Sequence, residues 1–157
     1  MQVINFFLKI ILLTLIPTFE LRAAIPYAFF AVSNLTLGWL YGSIVAIIIN
    51  ILLGPIVYFI IDKFINLLRK IKIINTLYEK KVAHIQKNIK PKVEKYGPFA
   101  LALFIGIPFP GTGSYTGALA AYLLGIKQRK FFWINLVGVV IAGTLVCLIM
   151  LSGKAIF

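Results

Sequence analysis

The chain has 157 residues, of which 61% are hydrophobic, and its mean hydropathy is +1.00. A soluble domain of this length cannot bury so much apolar surface, so we expect an integral membrane protein. The net charge of +12 does not indicate nucleic-acid binding, because the charges are clustered. Ten of the 16 Lys and Arg residues lie between Lys63 and Lys95, and three more are Lys127, Arg129 and Lys130. Such clusters are typical of the cytoplasmic loops of a membrane protein.

Two short apolar segments come first in the chain. One runs from Val3 to Ile16 and stops at Pro17, and the other runs from Ala23 to Val32. The loop 33–38 that follows carries no charge. Since Lys and Arg accumulate in cytoplasmic loops, this uncharged loop is expected to face the outside.

The first long apolar segment, Leu40 to Ile61, is a predicted transmembrane helix. Its 22 residues give roughly 33 Å of helix, which is enough for a hydrocarbon core of about 30 Å. Gly54 and Pro55 are expected to kink it.

The basic linker from Asp62 to Tyr96 has apolar residues at helical spacing. This spacing predicts an amphipathic helix at the cytoplasmic interface, bound to anionic lipid headgroups, with a soluble helical hairpin as the alternative.

The second half contains another broken apolar segment. Phe99 to Ile107 has nine residues, roughly 13 Å of helix, and stops at Pro108. The run from Ser114 to Ile126 then leads to the basic loop 127–130, and Phe131 to Leu151 is the last predicted span. Because nine residues cannot cross the membrane, the break must lie inside it, and the chain must turn back as a re-entrant hairpin.

The two halves repeat one order of elements. Pro17 corresponds to Pro108 in a broken segment, and Asn50 corresponds to Asn135 in a long span. This order predicts an inverted-topology repeat, and two broken segments at corresponding positions indicate the binding site of a transporter.

We therefore predict an all-α integral membrane protein with a single membrane domain, residues 1–157. It comprises two inverted-topology repeats, 1–61 and 97–157, each a re-entrant helical hairpin plus one transmembrane helix, joined by the basic amphipathic helical linker 62–96. The linker and the loop 127–130 are predicted to be cytoplasmic in a multi-pass protein of the cell membrane.

Glu20 and Arg22 are the strongest site candidates. Glu20 is the only acidic residue outside the linker. A charge in the bilayer costs at least about 2.5 kcal/mol, so it persists mainly when it is paired or lines a wet cavity. Glu20 could bind a proton or cation and Arg22 an anion. The structural alternatives are a mutual ion pair or an Arg side chain that reaches the interface.

The second break is rich in glycine and hydroxyl groups. Helix N-termini favour negative charge, and glycine lets a substrate approach the backbone. If the half-helices after both breaks meet, their positive ends would face one pocket, with Arg22 as counter-ion to a phosphate or carboxylate. The alternative is that these residues serve tight packing and satisfy broken backbone. The residues are Pro108, Pro110, Gly111, Thr112, Gly113, Ser114, Tyr115 and Thr116.

Asn50 and Asn135 are expected to hold helices together, with substrate contact as a second role. The sequence does not favour an enzyme, since a metal-ligand cluster and a second intramembrane acid are lacking. No cofactor and no bound metal are predicted.

Two stretches resemble the signatures of the putative small multidrug export protein family, namely Glu20 to Pro26 and Pro108 to Ala118. The likeness covers most of the chain outside the linker. That family is distantly similar to the DedA-type, or VTT-domain, membrane proteins, which are thought to carry two opposed re-entrant hairpins and to move lipids such as polyprenyl phosphates. The resemblance implies transport, with Glu20 and Arg22 as essential charges. DedA-type proteins typically place arginine in the second signature too, whereas this chain has no charge there.

The predicted function is secondary transport of a small or amphiphilic, anionic substrate, coupled to protons or Na⁺. The alternatives are an uncoupled lipid flippase or scramblase, and a structural membrane protein that recruits lipid or a partner through its linker. Because two full crossings enclose little cavity, we expect a homodimer. The candidate substrate- and ion-binding residues are Glu20, Arg22, Pro26, Asn50, Asn135, Pro108 and Pro110 to Thr116.

Overall fold

The structure, a computed structural model, describes residues 2–31, 38–70, 96–109 and 111–156. The described residues form helices and no strand, so the prediction of an all-α protein is confirmed. The predictions for Pro110, for most of the loop 33–38 and for linker residues 71–95 lie outside the described residues. The helices are α1 (Gln2–Leu15), α2 (Glu20–Ala31), α3 (Gly38–Leu68), α4 (Tyr96–Gly106), α5 (Ser114–Leu123) and α6 (Gln128–Ile156).

Two of these helices, α3 and α6, are long and apolar enough to cross a membrane. Most of the apolar stretch of α3 is not buried inside the protein. Its exposed residues recur every fourth position at Ile44, Ile48, Leu52 and Ile56, which places them on one face of the helix. Water would not support such a continuous apolar face, so the chain is a membrane protein.

The first long helix continues beyond its predicted end at Ile61 and reaches Leu68. The sequence changes from apolar to charged at Asp62, but a charge does not end a helix as proline or glycine does. Asn66 Nδ2 donates to Asp62 Oδ1 one turn earlier at 3.2 Å, and Lys63 lies 5.2 Å from the centre of the Phe59 ring. The start of the predicted linker is therefore part of α3.

The short helices pack against the two long ones. Helices α2 and α5 each contact both α3 and α6, and α1 contacts α2 and α3. Helix α4 joins this core through Ile105, which lies against Gly117 of α5 and Gly138 of α6. Small residues at these crossings let the helices approach closely, as membrane helices commonly do.

Contacts with α3 show where α2 and α5 begin and in which direction each runs along α3. Ile10 of α1 and Ala28 of α2 lie against Gly42, close to the start of α3. Glu20, at the start of α2, reaches Asn50, which Ser114 at the start of α5 also contacts. Further along α3, the Tyr58 hydroxyl donates to Ile126 O beyond the end of α5 at 2.8 Å. The N-termini of α2 and α5 thus meet beside Asn50, and the two helices leave it in opposite directions along α3.

We expect Gly138→Ala to lower the unfolding temperature in detergent. A Cβ at Gly138 would lie 2.7 Å from Ile105 Cβ and 2.8 Å from Ala102 O, and a backbone oxygen cannot move without shifting α4. Overpacking of this kind costs about 1–3 kcal/mol. Gly153→Ala in the same helix is the control, because a Cβ there meets nothing within 4 Å. Equal unfolding temperatures for the two variants would contradict this packing.

Candidate functional site

The break between α4 and α5 leaves helix ends that need partners. Pro108 lacks an N–H group and cannot continue α4, and Gly111 (φ 89°) and Gly113 (φ 128°) adopt backbone conformations that suit glycine. The last carbonyl groups of α4 and the first N–H groups of α5 have no partner within their own helices. In a low-dielectric setting such groups must be satisfied by other parts of the chain.

Glu20 satisfies the N-terminal end of α5. Its Oε2 accepts from the backbone N–H of Ser114 and its Oε1 from that of Tyr115, both at 3.3 Å. Asn50 Nδ2 also donates to Oε2, at 3.3 Å. Glu20 is only 1% exposed, and it is itself the first residue of α2. One buried carboxylate therefore lies at the positive ends of both half-helices.

Arg22 satisfies the C-terminal end of α4. Its Nη2 donates to Ile107 O at 3.0 Å and lies 3.5 Å from Ile105 O. The same Nη2 donates to Thr112 Oγ1 at 2.8 Å, and this hydroxyl is also within 2.6 Å of Ile107 O. A cation at the carbonyl end of a helix is electrostatically favourable, as an anion is at the N–H end.

The two charges also bond to each other. Arg22 Nη1 lies 3.2 Å from Glu20 Oε2, and the Arg22 side chain is 12% exposed. Of the two structural alternatives drawn from the sequence, the mutual ion pair is therefore present. The pair has no net charge, which lowers the cost of burial, although Arg22 Nε has no partner among the described residues.

Glu20 adopts an uncommon backbone conformation. Its φ of 47° lies in the left-handed region, and it is the only described residue other than glycine with a positive φ. This conformation costs roughly 1–2 kcal/mol for an L-residue. The cost is met by the bonds that the carboxylate makes, so the backbone at the start of α2 is held by the site itself.

Asn135 donates a hydrogen bond to a carbonyl of α3 that Pro55 leaves without its helical donor. Pro55 has no N–H group to donate to Ile51 O, and Asn135 Nδ2 of α6 donates to that carbonyl at 3.1 Å. Gly54 makes room for the amide, since a Cβ there would overlap Asn135. Asn135 therefore links α3 to α6, whereas its counterpart Asn50 bonds to the Glu20 carboxylate.

Tyr115 supplies a contact that the sequence did not predict. Its hydroxyl donates to Leu15 O, the last carbonyl of α1, at 2.6 Å. A residue of the second break thus satisfies the first break, just as Glu20 and Arg22 of the first satisfy the second. No local pattern signals this pairing, because it joins residues 100 positions apart.

The other candidates have different roles. Among the described residues, the Thr116 hydroxyl donates only to Gly113 O of its own turn, at 3.4 Å, and Gly111 shapes the break. Pro26 is half-buried within α2, more than one turn from Glu20. Among the described residues, no group of His, Cys, Asp and Glu could hold a metal ion.

Comparison with known proteins gives one match. The model of a family described as "Putative small multi-drug export protein" matches residues 20–145. The match begins at Glu20 and extends into α6, so it includes both charges of the site and the whole second break. No curated protein and no solved structure matches the chain.

We expect Gly113→Ala to destabilise the protein more than Gly111→Ala does. Both positions have a positive φ, which costs an L-residue roughly 1–2 kcal/mol. A Cβ at Gly113 would also overlap the Glu20 carboxylate and Arg22 Nη1, whereas a Cβ at Gly111 meets nothing within 4 Å. Thermal unfolding in detergent compares the two variants. Equal losses would mean that Glu20 and Arg22 do not pack against Gly113.

The ion pair should show strong coupling in a double-mutant cycle. Arg22→Gln leaves the buried Glu20 carboxylate without its cation, which costs about 3–5 kcal/mol. The double variant Glu20→Gln, Arg22→Gln buries no charge, so its loss of unfolding free energy should be smaller than the sum of the single losses. Additive losses in the unfolding free energy would contradict the pairing.

Proposed function

The chain belongs to the putative small multi-drug export protein family, because the family model covers residues 20–145, and we propose that it is a secondary transporter of a small or amphiphilic, anionic substrate, coupled to protons or Na⁺. The description of the family denotes export, which supports transport rather than catalysis. The observation that carries the proposal is the buried Glu20 carboxylate, which lies between the N-termini of two half-helices and is paired with Arg22.

Helix lengths support two re-entrant hairpins. Helix α3 has 31 residues and α6 has 29, or about 46 and 43 Å, so each can cross a 30 Å core. The four short helices have between 10 and 14 residues, or about 15–21 Å, and each is too short to cross. Because α2 and α5 leave Asn50 in opposite directions, we infer that the pairs α1–α2 and α4–α5 enter from opposite faces as inverted repeats.

The position of Asn50 along α3 supports a site near the middle of the bilayer. Asn50 lies 12 residues after Gly38 and eight before Tyr58, distances of about 18 and 12 Å along the helix. Together these match the thickness of the hydrocarbon core, and we propose that the core spans this part of α3, which would place Glu20 well inside it. A charge at this depth is expensive, which favours a functional reason for keeping it.

Competition between Glu20 and the substrate would couple the two fluxes. In its charged form the Glu20 carboxylate accepts hydrogen bonds from Arg22 Nη1 and from the first N–H groups of α5. Protonation weakens these bonds, because a neutral acid is a poorer acceptor than a carboxylate. An anionic group of the substrate could then take the same donors. A proton and an anion would therefore bind together, and the gradients would set the direction.

Alternating access would follow from rocking one hairpin against the other. The bonds that such a motion must break join the two hairpins directly, from Arg22 to Thr112 and from Tyr115 to Leu15. We further propose that residues 127–130, of which 128–130 form the start of α6 rather than the predicted loop, are cytoplasmic together with the linker 62–96. We also propose that the linker binds anionic headgroups and that the transporter works as a homodimer in the cell membrane.

Purified protein in liposomes tests the proposal. We expect a pH gradient to drive translocation of a polyprenyl phosphate, and Glu20→Gln to abolish the effect of the gradient because a neutral amide cannot bind the proton. Asp62→Asn is the matched control, since Asp62 is an acid of α3 that bonds to Asn66 and not to the site. It should retain gradient-driven movement.

Other outcomes would favour the alternatives. Movement that is indifferent to the gradient would favour an uncoupled flippase or scramblase. No movement under any gradient would overturn lipid phosphate as the substrate, and small cationic drugs would be tested next. If a cellular phenotype depends more on the linker than on Glu20, the chain is instead a structural membrane protein.

A further inference from the structure

Asn50 carries a buried acceptor to which no described residue donates. Asn50 is 1% exposed, and its Nδ2 donates to Glu20 Oε2 at 3.3 Å. Among the described residues its Oδ1 accepts no hydrogen bond. An unsatisfied buried acceptor costs about 1–3 kcal/mol, so its presence beside a titratable carboxylate requires an explanation.

Protonation of Glu20 creates the need for an acceptor. A carboxylic acid has one O–H donor, whereas a carboxylate has none. Three of the groups that bond the carboxylate, namely Arg22 and the backbone N–H groups of Ser114 and Tyr115, can only donate. Asn50 is the fourth group that bonds the carboxylate, and its amide has an acceptor oxygen as well as a donor nitrogen. In the part of the chain that the structure describes, Arg22 and Tyr115 are the titratable side chains beside Glu20, and the contact from α3 is the uncharged Asn50.

Rotation of the Asn50 amide by half a turn would exchange its nitrogen and oxygen. The nitrogen presents a donor to the charged carboxylate, and the oxygen would present an acceptor to the neutral acid at the same position. The rotation breaks no other side-chain bond among the described residues, because Oδ1 has no partner to lose. The Asn50 contacts with Ser114 and Asn135 use the backbone carbonyl and would remain.

We propose that Asn50 is a positioning residue that bonds both protonation states of Glu20, donating through Nδ2 to the carboxylate and accepting through Oδ1 from the acid. This inference rests on the proposed role of Glu20 as a proton site. It explains why an amide stands at this position, since an aliphatic side chain serves neither state and a lysine or arginine could only donate. The proton thereby has a fixed partner inside the membrane while the site changes its exposure.

Infrared difference spectra of the full chain in lipid nanodiscs test the inference. If Glu20 is the proton site, lowering the pH should produce a carbonyl band of the acid, and loss of that band in Glu20→Gln would assign it. In Asn50→Val the acid proton has no amide acceptor, so we expect the band to move to higher frequency. Gradient-driven transport of polyprenyl phosphate should fall about tenfold, as for the loss of one buried hydrogen bond.

Asn135→Val is the matched control. Asn135 is also a fully buried amide whose Oδ1 has no partner in the part of the chain that the structure describes, but it bonds to α3 and not to Glu20. In Asn135→Val the carbonyl band of protonated Glu20 should keep its native frequency. Asn50→Ser is the second variant, because a hydroxyl both donates and accepts and leaves room for a water. It should bring the band back toward the native frequency and restore part of the transport.

The outcomes separate the inference from the proposed function. A native band that is unchanged in Asn50→Val would overturn the role of Asn50 while leaving Glu20 as a proton site. A band that moves equally in Asn135→Val would show a general packing effect and would also overturn it. If no band that depends on Glu20 appears at any pH, the proton site fails, and the role of Asn50 fails with it.

Discussion

The structure depends on the way in which Glu20 and Arg22 close the break between α4 and α5. The two residues are close together on α2, yet one reaches the N–H end of α5 and the other the carbonyl end of α4. Each charge has the sign that its helix end favours. The Tyr115 hydroxyl gives the reverse connection to the end of α1. A broken helix is tolerable inside an apolar medium only with such partners, so the two pairs of short helices stabilise each other.

This closure has a consequence for binding. The free N-terminus of a half-helix is a ready site for an anion, but here it already holds an anion from the same chain. An external anion must therefore displace Glu20 rather than fill an empty pocket. In the proposed mechanism, the positive φ of Glu20 would favour release once the carboxylate loses its charge, because the bonds that hold the backbone in place would then weaken. The structural role of the ion pair and its proposed role in coupling are therefore not in opposition, since the same bonds serve both.

Much of this arrangement could be predicted from the sequence. The short apolar segments, the breaks and the two long helices follow from the positions of proline and from the lengths of apolar runs. The expectation that Glu20 and Arg22 are paired or line a wet cavity followed from the cost of charge in a bilayer. The partners could not be predicted, because backbone groups such as Ile107 O and the Ser114 N–H carry no signal in the sequence.

The differences have physical reasons. The end of α3 was placed too early because composition changes at Asp62, whereas the helix continues to Leu68 in the absence of a residue that breaks it. The interaction of Asn135 with Ile51 O requires two facts together: that Pro55 leaves the carbonyl without a donor, and that Gly54 leaves space for the amide. None of these residues predicts the contact alone, because the bond forms only when α6 packs on α3.

The charge balance of the site argues for tight coupling if Glu20 binds a proton. The empty site contains Glu20 as a carboxylate and Arg22 as a cation, and its net charge is zero. With a proton and a monovalent anion both bound, the net charge is again zero. With only one of them bound, the site carries one uncompensated charge, positive with the proton alone and negative with the anion alone. A low-dielectric interior penalises both of these forms, whereas the two neutral forms avoid the penalty. A site that changes its exposure most readily when it is neutral would therefore move the proton and the anion together or not at all.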